Sequence, residues 1–385
     1  MNPRYWTSVE FYSTGDQYFS AVLDEIRKAQ VTVRLETYIF SLDPMTEEIL
    51  SALEEAQRRG VWIQILVDGF GSFSHLETLR NRCQKSQFQF KVFHPLPSRL
   101  KIVQKFLRIF TTRYAFVFKK INRRNHRKQI LIDDRIAFVG SLNLTEVHSH
   151  RHFGKTAWKD FGVRLEGPPL FLLERAFRNA WNIAESDTFL KKLLRLQFDK
   201  TYDPRQALVR LNTSRRMRSR LKKDLVRRIE ATTQKIWIST AYFLPRPRLL
   251  KAILNASKRG VEVQLLLPGI SDAPVVKWAS YQVLKKLLVN GVKIFEYQPA
   301  VLHSKYLVLD NHFATLGSTN FNHRSFLHDL ELEAVFTESA HIRRVEAEFL
   351  LEKTFARELN ILELKSWPWY LRLTSRIAYR MRYLL

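Results

Sequence analysis

A single cysteine, Cys83, occurs among the 385 residues. The chain therefore forms no internal disulfide, and this cysteine usage is typical of a reducing compartment. No uncharged run reaches the ~18 apolar residues that a transmembrane helix needs. The first residues also lack the basic start and apolar stretch of a signal peptide. We therefore expect any contact with a membrane to be peripheral.

Acidic residues are scarce, since 63 lysines and arginines face only 37 aspartates and glutamates, giving a net charge of +26. No acidic residue occurs between Thr78 and Ile132 or after Glu363. A charge excess of this size predicts a polyanionic partner, either nucleic acid or an anionic membrane surface. Charge alone does not choose between these two partners.

The composition is that of a globular protein, because 45% of the residues are hydrophobic and 26% are charged. The length allows two domains of ordinary size. The sequence also repeats: residues 54–69 and 254–269 are each typical of a basic helix end, a glycine C-cap at Gly60 or Gly260, and a buried strand. Strands that alternate with helices in two equivalent halves predict an α/β fold.

A second repeat carries chemically active groups. The pattern His, any residue, Lys, any four residues, Asp occurs at 126–133 and again at 303–310. Each copy is followed at the same distance by Gly-Ser, one further residue and Asn, at 140–143 and 317–320. One such match is a weak signal, whereas two at identical spacing in equivalent halves are a specific one. The candidate site residues are His126, Lys128, Asp133, Ser141 and Asn143 in the first half and His303, Lys305, Asp310, Ser318 and Asn320 in the second.

These residue types suit a phosphodiester. Alternate residues of a strand share a face, so the histidine and the lysine of each copy project together. If the two halves face each other, the lysines and the asparagine amides can hold the non-bridging oxygens of a phosphate. One imidazole can then attack phosphorus while the other protonates the leaving oxygen. Two unrelated, solvated strand ends are the alternative, which the duplication disfavours.

The duplicated motif resembles that of the phospholipase D superfamily, and the resemblance covers nearly the whole chain. The segments WKDFGVRLEGP (158–168) and FLHDLELEAVF (326–336) are most similar to bacterial cardiolipin synthases of the short type, which lack N-terminal transmembrane helices. The resemblance implies two homologous α-β-α sandwich domains with mixed sheets, related by a pseudo-twofold axis around one shared active site. It also implies a phosphohistidine intermediate, with His126 favoured as the nucleophile, and no cofactor or metal.

The aspartates of the motif need a separate interpretation. Asp133 and Asp310 lie about 23 Å from their histidines along an extended strand. We therefore interpret them as structural residues that close the strand, although they belong to the catalytic motif. The resemblance implies Asp160 and Glu333 as the carboxylates that orient the histidines, with Glu331 as an alternative to Glu333. It also implies that the substrate phosphate contacts Ser141, Asn143, Ser318 and Asn320.

Three alternating histidines, His148, His150 and His152, form a tract that is typical of a metal site or of a loop. No cysteine or pair of carboxylates accompanies them closely in the sequence. We therefore favour a loop that lines the active site over a metal site.

We predict a first phospholipase D-like domain at 1–185, a basic linker at 186–223, a second such domain at 224–360 and a C-terminal segment at 361–385. The first domain is longer before its histidine motif than the second, which indicates an insertion near 97–124. This insertion interleaves basic and apolar residues. Such a pattern suits an interfacial membrane segment better than a surface that stacks on nucleotide bases.

The C-terminal segment is predicted to be an amphipathic, membrane-interfacial helix. Trp367 and Trp369 stand where an interfacial aromatic anchor is expected. Arg372, Arg376 and Arg380 form a basic stripe beside the apolar face. That apolar face consists of Tyr370, Leu373, Ile377, Met381 and Leu384.

These features predict a peripheral enzyme of the bacterial cytoplasmic membrane that forms cardiolipin from two phosphatidylglycerol molecules and releases glycerol. The substrates and the location follow from the resemblance. A phospholipase D-type hydrolase and a nuclease are the alternatives, because the motif defines a reaction and not a substrate. A non-catalytic scaffold is disfavoured because both motifs are intact. We expect anionic phospholipid and the membrane surface as partners rather than nucleic acid, and a monomer is sufficient for one site.

Overall fold

The computed structural model describes residues 5–95, 123–185, 202–203, 205–366 and 368–383. Most of the predicted insertion, residues 97–122, lies outside these ranges, as do Trp367 and Leu384. Within the described ranges, every helix is too short or too polar to cross a membrane.

The first half of the chain folds into a mixed sheet of seven strands. Its strands are β1 (Ser8–Tyr12), β2 (Thr32–Thr37), β3 (Trp62–Asp68), β4 (Gln89–Phe93), β5 (Gln129–Ile132), β6 (Ile136–Gly140) and β7 (Gly162–Glu166). Their order across the sheet is β1-β7-β6-β5-β2-β3-β4. Strands β2, β3 and β4 are parallel, and the remaining pairs are antiparallel.

The second half repeats this arrangement. Its strands are β8 (Val209–Leu211), β9 (Lys235–Ser239), β10 (Glu262–Ile270), β11 (Lys293–Val301), β12 (Tyr306–Leu309), β13 (Phe313–Gly317), β14 (Leu332–Phe336) and β15 (Ala356–Glu358). Their order is β15-β11-β10-β9-β12-β13-β14-β8. Apart from the added edge strand β15, the order matches the first sheet strand for strand, so the predicted fold of two homologous α/β halves is confirmed.

Helices cover both sheets. They are α1 (Gly15–Lys28), α2 (Pro44–Arg58), α3 (Leu76–Lys85), α4 (His150–Phe153), α5 (Leu170–Glu185), α6 (Arg215–Ala231), α7 (Pro247–Lys258), α8 (Pro274–Val289), α9 (His323–Leu327), α10 (Ser339–Thr354), α11 (Ile361–Lys365) and α12 (Trp369–Arg380). Three-residue 3₁₀ helices occur at Phe73–His75, Glu146–His148 and Gly154–Thr156. Gly60 and Gly260 follow α2 and α7 with φ of 94° and 88°, the left-handed conformation that ends a helix.

The division of the chain into domains stays a prediction, but the range proposed as a linker, 186–223, contains regular structure. Strand β8 pairs with β14 inside the second sheet. Helix α6, which begins at Arg215, packs against α7. Basic residues on the outer face of α6 give this range its linker-like composition, while Met217, Leu225 and Ile229 are buried beneath it.

One apolar core continues from the first half into the second. Phe161 and Leu165 of the first half belong to the same buried cluster as Tyr306, Leu316 and Phe336 of the second. The ring of Phe161 lies 5.6 Å from that of Tyr306, edge to face. The two sheets are therefore fixed relative to each other by apolar contacts.

Two isolated main-chain bridges also join the halves. One pairs Asn125 with Leu330, and the other pairs Lys159 with Leu302. Both bridges are parallel, and each stands directly before a motif histidine in the sequence. The two halves therefore contact each other through main chain at two equivalent positions of the repeat.

The C-terminal helix α12 packs against α8. It contacts α8 through its small residues, since Ser375 and Ala378 are buried and Gln282 donates to the Ser375 hydroxyl at 3.1 Å. The predicted apolar face points away, and its described members are 47–53% exposed. These members are Tyr370, Leu373, Ile377 and Met381. The helix is thus held to the second half and still presents an apolar stripe to the surroundings.

The motif aspartates act as main-chain ligands at the strand ends. The Asp133 carboxylate accepts hydrogen bonds from the backbone N–H groups of Gln30, Val31 and Thr32 at 2.8–2.9 Å. Asp310 does the same for Thr233, Gln234 and Lys235 at 2.8–3.0 Å. Both aspartates have positive φ, 51° and 48°. They anchor the start of β2 and β9, as the interpretation of strand-closing residues predicts.

We expect Asp133→Asn to lower the free energy of unfolding by about 1 kcal/mol, because the amide has only one oxygen for three donors. Asparagine tolerates positive φ, so backbone strain stays small. Burial alone would raise the pKa of Asp133, but the three backbone donors lower it below its ordinary value. The difference in the free energy of unfolding between the wild type and the variant should therefore be fully present above the ordinary aspartate pKa. It should disappear as the pH falls through the lowered pKa of Asp133.

Denaturant unfolding at several pH values measures this effect. Asp134→Asn is the matched control, since Asp134 also has positive φ, but its half-exposed carboxylate bonds the side chain of Arg34 and no backbone N–H group among the described residues. An equal loss of stability in both variants would contradict the role given to Asp133.

Candidate active site

Each motif histidine lies at the boundary between the two halves. His126 and His303 stand three residues before β5 and β12. The backbone N–H of His126 donates to the carbonyl of Leu330 at 3.0 Å, and that of His303 donates to the carbonyl of Lys159 at 2.7 Å. Each histidine is therefore held by main chain from the opposite half.

His126 is oriented by Glu331. Its Nδ1 lies 3.1 Å from both carboxylate oxygens of Glu331. The hydroxyls of Ser318 and Ser325 donate to the same carboxylate at 2.5 and 2.6 Å. Burial alone would raise the pKa of Glu331, but its contacts, foremost with His126, lower it. A buried, charged carboxylate thus fixes the proton of His126 on Nδ1.

His303 is oriented by Asp160 in the equivalent way. Its Nδ1 lies 2.8 Å from one oxygen of Asp160, and the Nδ1 of His148 lies 2.5 Å from the other. The Ser141 hydroxyl also donates to Asp160, at 2.6 Å. The backbone N–H of Asn143 donates to the Nε2 of His148 at 3.1 Å, so His148 carries its proton on the side of Asp160. Asp160 therefore accepts two imidazole N–H groups at once.

These contacts leave the Nε2 atoms of the motif histidines available, because neither forms a hydrogen bond with the described residues. Burial lowers the pKa of His303 to about 3. Burial, followed by the charge of Lys128, also lowers the pKa of His126. Both rings are neutral near pH 7, and each has an Nε2 lone pair that can attack an electrophile.

The two lysines are buried at the same place. The Nζ of Lys128 donates to the carbonyl of His126 at 2.8 Å, and the Nζ of Lys305 donates to that of His303 at 2.5 Å. Burial lowers the pKa of Lys128 to about 7, with a further contribution from the charge of Lys305. Burial lowers the pKa of Lys305 to about 8. Two buried ammonium groups that interact unfavourably define a site that an anion would stabilise.

Both motif asparagines are also buried with their amide nitrogens available. The Oδ1 of Asn143 accepts from the backbone of Ile39, and the Oδ1 of Asn320 accepts from the hydroxyl of Thr240, each at 3.3 Å. The NH₂ groups are the donors that remain for a ligand. Aromatic rings complete the walls: Tyr38 lies 5.1 Å from His126, and Trp158 lies 5.2 Å from His303.

Two sequence-based assignments, of Glu333 and of the motif serines, change with the structure, whereas the interpretation of the motif aspartates as structural residues is retained. Glu333 does not contact a histidine and instead pairs with Arg210 at 3.3 Å. It shares a face with Glu331 but lies two residues, roughly 7 Å, farther along the strand. Ser141 and Ser318 donate to the orienting carboxylates, so their hydroxyls do not point to a phosphate. Asp133 and Asp310 bind main chain at the distant ends of β5 and β12 and are not part of the site.

Two residues of the site have roles that were not predicted from the sequence: His148, which was expected only in a loop that lines the site, and Ser325. Each stands five residues after the motif asparagine of its half, Asn143 or Asn320, and accepts a hydrogen bond from that asparagine's backbone N–H. Each also donates to the orienting carboxylate of its half. The equal spacing from the motif asparagine is the signal for these residues in the sequence. It is hard to recognise because the residue is histidine in one half and serine in the other.

His148, Asp160 and His303 also offer three possible metal ligands within 4.8 Å of one another. The hydrogen bond from Asn143 to His148 places the proton of His148 on the nitrogen that faces Asp160. Hydrogen bonds through these protons account for the close approach of all three side chains. The two other histidines of the tract, His150 and His152, pair with Asp16 and Glu48 near the surface.

Comparison with known proteins supports one family. Residues 22–153 and 225–352 match the family described as cardiolipin synthase, PLD-like domain. Cardiolipin synthase B of Salmonella typhi is 30% identical over 333 residues, 86% of this chain and 77% of that protein. A probable cardiolipin synthase of Bacillus subtilis is 26% identical over 91% of this chain and 66% of its own length.

Solved structures show the same fold. Phosphatidylserine synthase of Haemophilus influenzae matches with a TM-score of 0.74 and 14% identity, over 100% of this chain and 97% of that one. Polyphosphate kinase of Porphyromonas gingivalis matches with a TM-score of 0.52 and 14% identity, over 90% of this chain and 50% of that one. Together with the sequence matches, the duplicated fold and the paired histidines establish that the chain belongs to the cardiolipin synthase family of the phospholipase D superfamily and is a cardiolipin synthase-like phosphatidyltransferase.

Proposed function

We propose that the protein forms cardiolipin from two phosphatidylglycerol molecules through a phosphohistidine intermediate. The observation that carries this proposal is the pair of histidines, each held at the boundary by a carboxylate of the opposite half. The curated relatives support the choice of lipid, since their names describe cardiolipin synthases. The arrangement of the site supports a two-step exchange at phosphorus.

In the first step, the Nε2 of His126 attacks the phosphorus of one phosphatidylglycerol. The P–N bond forms as the P–O bond to the head-group glycerol breaks, and His303 gives a proton to the leaving oxygen. His126 suits the role of nucleophile because its side chain is 14% exposed, against 5% for His303. His303 is neutral in the empty site, so it must take up a proton on Nε2 as the substrate binds, and the charges of Asp160 and of the bound phosphodiester both favour this protonated form.

In the second step, a head-group hydroxyl of another phosphatidylglycerol passes its proton to His303. The resulting oxygen attacks phosphorus and the P–N bond breaks, which releases cardiolipin and restores His126. His126 therefore alternates between a phosphorylated and a free form, and His303 alternates between a protonated and a neutral form. If water takes the place of the second lipid, the product is phosphatidic acid and the enzyme is a hydrolase.

The lysines and asparagines are proposed to stabilise the charge at phosphorus. Lys128 and Lys305 are only 2% exposed, so their charges act on the phosphate with little screening. The anion raises their lowered pKa values and keeps both ammonium groups charged. The NH₂ groups of Asn143 and Asn320 supply neutral donors. Ser141 and Ser318 act indirectly, by holding the carboxylates that orient the histidines.

We further propose that the protein attaches peripherally to the bacterial cytoplasmic membrane through α12. The exposed apolar stripe on this helix is accompanied by exposed Arg372, Arg376 and Arg380. An apolar face beside a basic stripe is the arrangement that binds an anionic bilayer surface. Attachment would let a diacyl substrate reach the site without leaving its leaflet.

Purified protein with labelled phosphatidylglycerol vesicles should yield cardiolipin and glycerol in equal amounts. EDTA should have little effect, because the two lysines supply the positive charge that other phosphoryl-transfer enzymes obtain from metal ions. Thin-layer chromatography or mass spectrometry measures the products. Phosphatidic acid alone would support the hydrolase, and cleavage of plasmid DNA without a lipid product would support the nuclease.

His126→Ala and His303→Ala should each lower turnover by roughly 10²–10⁴-fold or more while the fold is retained, since each removes a separate proton-transfer or nucleophilic group. Glu331→Gln should also lower kcat, because it removes the charge that orients His126. Glu333→Gln is the matched control and should change kcat little. Turnover of Glu333→Gln that falls as far as that of Glu331→Gln would contradict the assignment of Glu331.

His148→Ala should lower kcat and shift the pH profile, because Asp160 loses one of its two imidazole donors and its remaining charge acts on His303 alone. The pKa of His303 should then rise, and because His303 must be protonated in the first step, the alkaline limb of the profile of kcat/KM should move to higher pH. His150→Ala is the control, since its side chain is 49% exposed. A profile that keeps its shape in His148→Ala would show that His148 only supports the loop.

Leu373→Gln/Ile377→Gln/Met381→Gln should bind phosphatidylglycerol vesicles roughly 100-fold more weakly, because each half-exposed side chain contributes about 1 kcal/mol on transfer to the bilayer. Vesicle co-sedimentation measures the change. Val31→Gln/Leu350→Gln/Leu351→Gln removes equally exposed apolar residues from other surfaces and should bind normally. Unchanged binding of the α12 variant would leave that helix with a packing role alone.

A further inference from the structure

A basic groove lies on the second half, apart from the two histidines. It has a volume of about 630 Å³ and is formed by α6, the first turn of α7 and α9. Its rim carries five cations and no acidic residue: Lys222, Lys223, Arg227, Arg246 and Arg248. Its floor is apolar and includes Leu225, Leu249 and Phe326.

Within the part of the chain that the structure describes, these five cations have no partner, because none of them forms an ion pair or a side-chain hydrogen bond there. The nearby carboxylate of Asp224 is already occupied by Arg210 and Arg228 at 2.7 and 2.9 Å. Burial, and then the charges of Arg246 and Arg218, lower the pKa of Lys222. The groove therefore gathers positive charge that the protein itself does not neutralise.

The groove borders both the active site and α12. Helix α9 contributes Phe326 to the groove floor, while its neighbour Ser325 donates to Glu331 in the active site. At the start of α9, the ring of His323 lies 5.0 Å from that of Tyr383, which follows α12. A surface that attaches to a bilayer through α12 would thus bring the groove close to the lipid head groups.

We propose that this groove is a second phospholipid site, which binds the phosphodiester of an anionic glycerophospholipid at its rim and part of an acyl chain on its floor. The location next to the bilayer rests on the membrane attachment proposed above. The chemistry rests on the groove alone: arginine and lysine suit phosphate oxygens, and the apolar floor suits a chain that a free phosphate lacks. Because α9 carries Ser325, a lipid in the groove would also restrain the helix that supports Glu331.

The rate at which Lys222 and Lys223 are acetylated measures whether a lipid occupies the groove. The full chain carrying His126→Ala, which prevents turnover, is treated with an acetylating reagent and the modified lysines are counted by mass spectrometry. The probes are dihexanoyl phosphatidylglycerol below its micelle concentration, dihexanoyl phosphatidylcholine and inorganic phosphate. At a phosphatidylglycerol concentration about twice its Kd, both lysines should react about threefold more slowly. Lys85 and Lys258, which are exposed elsewhere, should react at unchanged rates.

Variants separate the groove from general charge effects. Arg246→Gln/Arg248→Gln should abolish the protection, whereas Arg135→Gln/Arg343→Gln, which removes two exposed cations on other elements, should preserve it. Equal protection by phosphatidylcholine or by phosphate alone would overturn the proposal, as would protection that survives in the groove variant. A single-stranded oligonucleotide that protects at lower concentration than the lipid would assign the groove to nucleic acid.

This experiment is independent of the proposed reaction, because no turnover occurs in it. A protein that makes no cardiolipin can still show the protection, and a protein that makes cardiolipin can fail to show it. The two proposals therefore fail separately.

Discussion

The active site depends on two short main-chain contacts between the halves, at Asn125–Leu330 and Lys159–Leu302. His126 follows Asn125, and His303 follows Leu302. The carboxylates that orient these histidines, Glu331 and Asp160, follow Leu330 and Lys159. Backbone pairing thus brings each imidazole to a carboxylate of the opposite half before any side chain selects a rotamer. Neither half alone can hold an oriented histidine, so the site exists only while the shared apolar core keeps the sheets together.

The two copies of the site use different side chains for one arrangement. Asp160 is one methylene shorter than Glu331, and His148 is correspondingly longer than Ser325. Asp160 with His148, and Glu331 with Ser325, each connect the motif histidine of the opposite half to the backbone N–H of the motif asparagine of their own half. Both orienting carboxylates and the backbone N–H groups of both motif asparagines therefore have partners, as buried polar groups require. The exchange leaves Asp160 with two imidazole donors and one hydroxyl, and Glu331 with one imidazole donor and two hydroxyls, so the two histidines differ in their electrostatic surroundings.

Much of the fold and part of the site could be predicted from the sequence, because they follow from local patterns that occur twice. The spacing from His126 to Asn143 equals that from His303 to Asn320, and Gly60 and Gly260 end equivalent helices. The choice between Glu331 and Glu333 is different, since both lie on one face of a strand. It depends on the pairing of Asn125 with Leu330, which lies just before β14, and these two residues are about 200 positions apart. The serines were misassigned for the same reason, because their carboxylate partners come from a later strand.

The balance of charge beside the two histidines differs from that on the surface of the protein. Inside the site, the ammonium groups of Lys128 and Lys305 are matched by the carboxylates of Asp160 and Glu331, while both histidines are neutral. The site itself therefore has little net charge with which to attract an anion over a distance. Part of the excess of +26 lies on other surfaces of the described residues, where arginines such as Arg246 and Arg376 have no carboxylate partner among those residues. Attraction at these surfaces weakens beyond about 8 Å in physiological salt. Under the attachment that we propose for α12, the apolar stripe would set the distance at which the surrounding cations act on lipid head groups, so the stripe and the cations would be useful only together.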